Sequence, residues 1–125
     1  MVNPNRLYFA VLGDLGFFYD LNALGNRHIG NNIRILLINN GLGQEFKNPG
    51  YVSNYHFEEL TDPYIAAKGH YACQSHDLVK HYAQDLGFEY ISASNTDEFE
   101  QNYKRFISKE IKGKSILFEV FTNTI

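Results

Sequence analysis

Two short stretches of the chain are almost unbroken in apolar character. Arg6 to Leu12 (RLYFAVL) ends at Gly13-Asp14, and Ile33 to Ile38 (IRILLI) ends at Asn39-Asn40-Gly41. Apolar runs of this length without alternation predict strands buried on both faces, as in a parallel sheet. Between them, Asp20 to Ile29 carries Leu21, Leu24 and His28 at helical spacing, with Ala23 and Arg27 on a neighbouring stripe. Gly30 stands where such a helix should stop. The unit therefore reads strand, helix, strand.

Neither period continues from Asn39 to about Pro63, a stretch rich in Gly, Asn, Tyr and Pro that reads as a long loop with room for short helical turns. Regular signals resume at Ser75, a candidate helix cap. Leu78, Val79, Tyr82, Ala83 and Leu86 follow on one stripe, and Gly87 closes the helix. Phe88 to Ser92 (FEYIS) is the next strand. Ser94 to Asp97 resembles a capping box ahead of a helix whose Phe99, Tyr103, Phe106 and Ile107 share a face. Lys114 to Phe121 (KSILFEVF) forms the last strand. Strands alternating with helices predict an α/β fold, a three-layer parallel sheet with helices on both faces. Residues 1–125 are expected to form a single domain.

Composition narrows the function classes. Eleven Lys and Arg against fourteen Asp and Glu give a net charge of -3, scattered along the chain, so no basic face offers itself to nucleic acid. The apolar runs fall far short of the roughly 18 residues of a membrane span. A lone Cys73 and the lack of a signal-like opening segment point to a reducing, cytoplasmic setting.

In an open parallel sheet, ligands bind beyond the carboxyl ends of the strands. The first two strands end in Gly13-Asp14-Leu15-Gly16 and Asn39-Asn40-Gly41-Leu42-Gly43. If these strands are neighbours, a carboxylate, an amide oxygen and flexible backbone meet at one edge. Such oxygens suit Mg²⁺, which takes one or two carboxylates and completes its shell with phosphates and water. Backbone amides near Gly16, and those of the helix expected to start near Asp20, would face the phosphates. The same residues equally allow Asp14 to cap a turn and the Asn pair to favour a left-handed bend.

Taken together, GDLGFFYDLNAL (Gly13 to Leu24), the following strand and NNGLGQEF (Asn39 to Phe46) resemble the bipartite motif of the thiamine diphosphate enzymes, GDG followed by NN. Asp14 and Asn40 lie 26 positions apart. The wording is similar both to acetolactate-synthase-like proteins and to the menaquinone-pathway synthases that join 2-oxoglutarate to isochorismate. Asp77 to Phe99 and Ser115 to Thr122 also resemble that family, and Lys47 to Gln74 does so least.

The resemblance implies a thiamine diphosphate-binding fold, lacking the stretch that precedes the first strand in the family. It implies that Asp14 and Asn40 ligate Mg²⁺ through side-chain oxygens, with the Leu42 carbonyl as third protein ligand. Gly13, Leu15, Gly16 and Gly43 would complete the cofactor-binding backbone. Leu15 replaces the motif's second Gly, Gly16 stands where Ser is common, and Glu45 replaces an apolar residue of the menaquinone-pathway wording. The implied function is that of a C-terminal diphosphate-binding domain of an acetolactate-synthase-like enzyme acting on 2-oxo acids. The alternatives are a menaquinone-pathway synthase-like domain or a non-catalytic regulatory domain that kept the fold. The activating glutamate belongs to a separate pyrimidine-binding domain, of the same or another subunit, so no catalytic residue is expected here and the chain should not catalyse alone. Its parent would be a homo-oligomer.

Other candidates are weaker. His70-x-x-Cys73-x-x-His76 carries ligand types without the four ligands of a structural zinc site. Glu45 follows the metal loop and could exchange a proton there, although a solvated loop carboxylate accounts for it as well. Tyr82 reads as core and His81 as surface.

Overall fold

The computed structural model describes residues 3–50, 74–111 and 113–123. Four strands form one all-parallel sheet: β1 (Tyr8–Gly13), β2 (Ile33–Asn39), β3 (Glu89–Ala93) and β4 (Ile116–Phe121), in the spatial order β1-β2-β4-β3. The α-helices are α1 (Asp14–Tyr19), α2 (Leu78–Asp85) and α3 (Thr96–Phe106), with 3-10 turns at Leu21–Gly25 and Gln44–Lys47. Among the described residues no helix is long and apolar enough to cross a membrane.

The sheet is packed on both faces, as the apolar runs of β2 and β4 require. On one face Ile35, Leu37 and Leu117 meet Phe17 of α1 and Val79 and Ala83 of α2. On the other, Ile116 and Phe118 meet Phe106 of α3, with Phe99 and Tyr103 packed against them. The three-layer α/β expectation holds, with β4 as its most buried strand: Ile116, Leu117, Phe118 and Glu119 have no exposed surface.

β1 departs from the expectation of burial on both faces. It pairs only with β2, and Val11 is 69% exposed and Phe9 53%. The apolar run correctly gives a strand, but an edge strand has a neighbour on one side only, and burial follows from neighbours rather than from composition.

The first helix is also displaced. It opens at Asp14, directly after β1, and Leu21–Gly25 is a separate 3-10 turn rather than the start of a helix from Asp20 to Ile29. Leu21 and Leu24 still pack on the core, so the spacing reported a buried stripe while misplacing the helix. The cap of α3 shifts by one residue from Ser94 to Asn95. The Asn95 side chain accepts from the Glu98 amide at 2.9 Å, and the Glu98 carboxylate accepts from the Ser94 amide at 2.7 Å. Ile107 falls just past the end of α3 and is 52% exposed, not part of its buried face. α2 is capped at Asp77 rather than the expected Ser75, although Ser75 Oγ accepts from the Leu78 amide at 3.1 Å.

Candidate functional site

The parallel register brings the two halves of the motif together. Gly13 pairs with Ile38, so Asp14 and the Asn39-Asn40 pair leave adjacent strands at the same, carboxyl, edge. Asp14 is the first residue of α1 and is buried. Its carboxylate interacts with the backbone amides of Leu15 and Asn40, which joins the first motif half to the second. Burial nonetheless holds its carboxyl above the ordinary value, the amides pulling the other way and the negative charge of Glu45 adding to the rise. No Lys or Arg ion pair with Asp14 occurs among the described residues.

The second half is a tight, internally bonded loop. Asn40 Oδ1 accepts from the Leu42 amide at 3.0 Å, the Leu42 carbonyl accepts from the Gln44 amide at 3.0 Å, and Gly41 has φ +73°. Gly41 and Gly43 are buried, as is Leu42. Each of these oxygens keeps a second lone pair after its internal bond. Space lies on the open side: a Cβ added at Gly13 or Gly16 would meet nothing within 4 Å.

This donor set fits a hard cation. The oxygens are one carboxylate, one amide and one carbonyl, and a buried carboxylate without a cationic partner among the described residues is the group a divalent ion would neutralise. Among the described residues no group of three or more His, Cys, Asp or Glu could hold a metal, so a thiolate- or imidazole-rich centre is not built there.

No family model matches the chain. Curated relatives do match it. The 2-succinyl-5-enolpyruvyl-6-hydroxy-3-cyclohexene-1-carboxylate synthase of Phocaeicola vulgatus is 38% identical over 122 residues, covering 95% of this chain and 20% of that protein. The synthase of the same name from Bacteroides fragilis is 37% identical over 121 residues, covering 94% and 20%. That from Bacteroides thetaiotaomicron is 36% identical over 122 residues, covering 95% and 20%. Homologues of the thiamine diphosphate-dependent type thus match nearly the whole of this chain. It spans about a fifth of the length of these synthases. Their shared name is that of the menaquinone-pathway enzyme, so that resemblance is the better supported and the acetolactate-synthase-like one recedes.

The other expected residues of this synthase-related chain fall as follows. Leu15 and Gly16 lie in the first turn of α1. Glu45 is exposed on the 3-10 turn that follows the loop, where its charge reaches Asp14. His76 is exposed and stacks on Phe121, with ring centroids 4.0 Å apart, while His70 and Cys73 lie outside the described residues. His81 is exposed as expected, whereas Tyr82, expected in the core, is half-buried and donates to the Leu21 carbonyl at 2.7 Å.

Sequence reading missed Glu119. It sits fully buried in β4 and accepts from Asn39 Nδ2 at 2.8 Å and from the Tyr90 hydroxyl at 2.6 Å. Gln74 is a second omission: its Nε2 donates to the Asn39 and Thr122 carbonyls at 2.6 and 2.9 Å, tying the ends of β2 and β4 together. One signal for Glu119 was available, a carboxylate inside the otherwise apolar run ILFEVF.

Proposed function

We propose that this chain is the Mg²⁺- and diphosphate-binding domain of a 2-succinyl-5-enolpyruvyl-6-hydroxy-3-cyclohexene-1-carboxylate synthase-type enzyme. The observation that carries the reading is the buried carboxylate of Asp14, without a cationic partner among the described residues, against the Asn40 amide at the carboxyl ends of neighbouring parallel strands. Asp14 and Asn40 would hold Mg²⁺ through side-chain oxygens, with the Leu42 carbonyl as the third protein ligand. The backbone at Gly13, Leu15, Gly16 and Gly43 would border the diphosphate, where the absence of side chains at the glycines lets phosphate oxygens approach.

Bound there, thiamine diphosphate supplies the thiazolium chemistry for decarboxylating a 2-oxo acid and joining the product to an acceptor. The chain's own part is to anchor and orient. Asp14 neutralises the cation, Asn40 and Leu42 fix its position, and α1 begins at the anchoring carboxylate. The proton transfer that activates the cofactor is assigned to a glutamate on a partner pyrimidine-binding domain, so the isolated domain binds without turning over. A cytoplasmic homo-oligomer that pairs the two domain types completes the proposal.

Thermal unfolding with Mg²⁺ and thiamine diphosphate tests the binding half. Ligand at 100 times its Kd adds ~2.7 kcal/mol to the folded state. At roughly 4 °C per kcal/mol for a domain of this size, Tm should rise by about 10 °C. Asp14→Ala should abolish the rise. No shift in the wild-type chain at millimolar ligand, or an undiminished shift in Asp14→Ala, would refute the proposal.

A further inference from the structure

The loop that carries Asn40 and Leu42 is held from beneath by side chains that approach no ligand themselves. Asn39 is buried and its side chain turns inward. Its Nδ2 donates to Glu119 Oε1 at 2.8 Å, and its Oδ1 accepts from the Gly41 amide at 3.1 Å. The other Glu119 oxygen accepts from the Tyr90 hydroxyl at 2.6 Å. A bond path thus runs from β3 through β4 to the end of β2 and into the loop.

The chemistry of the pairing decides its direction. A primary amide has a donor end and an acceptor end of nearly the same shape, so packing alone leaves two orientations for Asn39. Both Glu119 oxygens accept, one from Asn39 Nδ2 and the other from the Tyr90 hydroxyl. Glu119 therefore draws Nδ2 towards itself and leaves Oδ1 for the Gly41 amide. With the amide reversed, Nδ2 would face another donor and the Gly41 N–H would be left unsatisfied in a buried place. Gln74 fixes the same residue from the other side, through the Asn39 carbonyl, which also accepts from the Thr122 amide at 3.0 Å.

Burial of the Glu119 carboxyl is opposed by desolvation, which outweighs its Tyr90 and Asn39 donors and the charge of His76. What Glu119 does contribute is orientation. We propose that Glu119, backed by Tyr90, is a positioning residue that sets the Asn39 amide and thereby presets the Gly41–Gly43 backbone to offer Asn40 Oδ1 and the Leu42 carbonyl to a divalent cation. The cation half of this statement rests on the proposed function, whereas the orientation half stands on the chain alone.

Two measurements separate these halves. The first is amide hydrogen exchange at Gly41 in the chain without ligand, for wild type, Glu119→Gln, Tyr90→Phe and Phe106→Leu. Glutamine presents a donor and an acceptor and loses the one-way preference. Tyr90→Phe removes a single hydroxyl and keeps the ring in the core, so it reports even if Glu119→Gln folds poorly. Phe106→Leu loosens the core on the opposite face of the sheet and controls for lost stability. Exchange at Gly41 should accelerate at least tenfold in Glu119→Gln and several-fold in Tyr90→Phe, beyond any change in Phe106→Leu. Equal acceleration in all three, or none in Glu119→Gln, overturns the orientation role.

The second measurement is calorimetric titration of the same four proteins with Mg²⁺ in the presence of thiamine diphosphate. Mg²⁺ affinity should fall about tenfold in Glu119→Gln, less in Tyr90→Phe, and stay within twofold in Phe106→Leu. Wild-type affinity retained in Glu119→Gln overturns the positioning proposal and leaves the proposed function standing. No Mg²⁺-dependent heat in the wild type overturns the proposed function and the cation half with it, while the exchange result still decides the orientation half.

Discussion

Gly41 and Gly87 both adopt left-handed backbone, with φ +73° and +84°, but differ in what surrounds them. A Cβ at Gly87 would meet nothing within 4 Å, whereas one at Gly41 would lie 3.0 Å from Cγ of Gln74. Gly87→Ala therefore isolates the backbone penalty for an L-residue in this region, about 1–2 kcal/mol. Gly41→Ala carries the same penalty and also displaces Gln74, whose Nε2 bonds the Asn39 and Thr122 carbonyls. Each bond contributes about 0.5–1.5 kcal/mol net, so the expected loss at Gly41 is roughly 2–5 kcal/mol. Urea unfolding followed by circular dichroism measures both losses, and Tm should fall about 4 °C per kcal/mol. A double-mutant cycle then identifies the mechanism. In a Gln74→Ala background the steric conflict is gone, so Gly41→Ala should become about 1 kcal/mol milder. A Gly41→Ala loss no larger than that of Gly87→Ala, or strict additivity with Gln74→Ala, refutes the role of Gln74 as the brace packed against this loop.

Three further outcomes follow from the same packing. Burial holds the Glu119 carboxyl above its ordinary value, outweighing the Tyr90 and Asn39 donors, so the folded chain binds this proton more tightly than the unfolded chain. Its stabilising contribution is complete below the unfolded carboxylate pKa and is lost as pH rises through the folded one; urea titrations should show wild-type stability falling against Glu119→Gln as pH increases, and a constant difference counts against it. Phe118, fully buried against Phe99 and Phe106 with ring centroids 5.4 and 5.6 Å away, should cost about 3–5 kcal/mol as Phe118→Ala by chemical denaturation; a loss under 1 kcal/mol would mean that this face of the sheet is not packed. Asp14→Asn removes a carboxyl whose ionisation burial opposes, so at neutral pH the ligand-free chain should melt higher than wild type while losing its response to Mg²⁺; a lower Tm with the response intact reverses the assignment.

The strands were legible in the sequence because each is a local run, and β2 and β4 are buried on both faces as such runs predict. β1 was legible as a strand but not as an edge, because the strand order β1-β2-β4-β3 is a property of the whole sheet that no single run encodes. The helix after β1 was misplaced for a related reason. Leu21 and Leu24 announce a buried stripe, and both a helix and a 3-10 turn present residues three apart on one side. Asp14 and Asn40 were legible because each closes its own strand in a distinctive turn. Glu119 was not, since its partner Asn39 is 80 positions away and only the parallel pairing of Asn39 with Phe121 brings the two side chains together.

The two halves of the site place opposite demands on the fold. Asp14 and Glu119 are both buried carboxylates on the α1 and α2 side of the sheet, and the charge of Asp14 disfavours ionisation of Glu119. Glu119 is met by two neutral donors, which give it direction without cancelling its charge. Among the described residues Asp14 is met by backbone amides. A cation at Asp14 would relieve both, directly at Asp14 and through the field at Glu119, so occupancy and stability rise together. An amide at Asp14, which keeps an acceptor for the backbone amides and sheds the charge, would give a more stable empty domain. The sheet end is thus organised around a charge that the described residues do not supply, which is the physical reason to look for its function there rather than at the exposed His76 or Glu45.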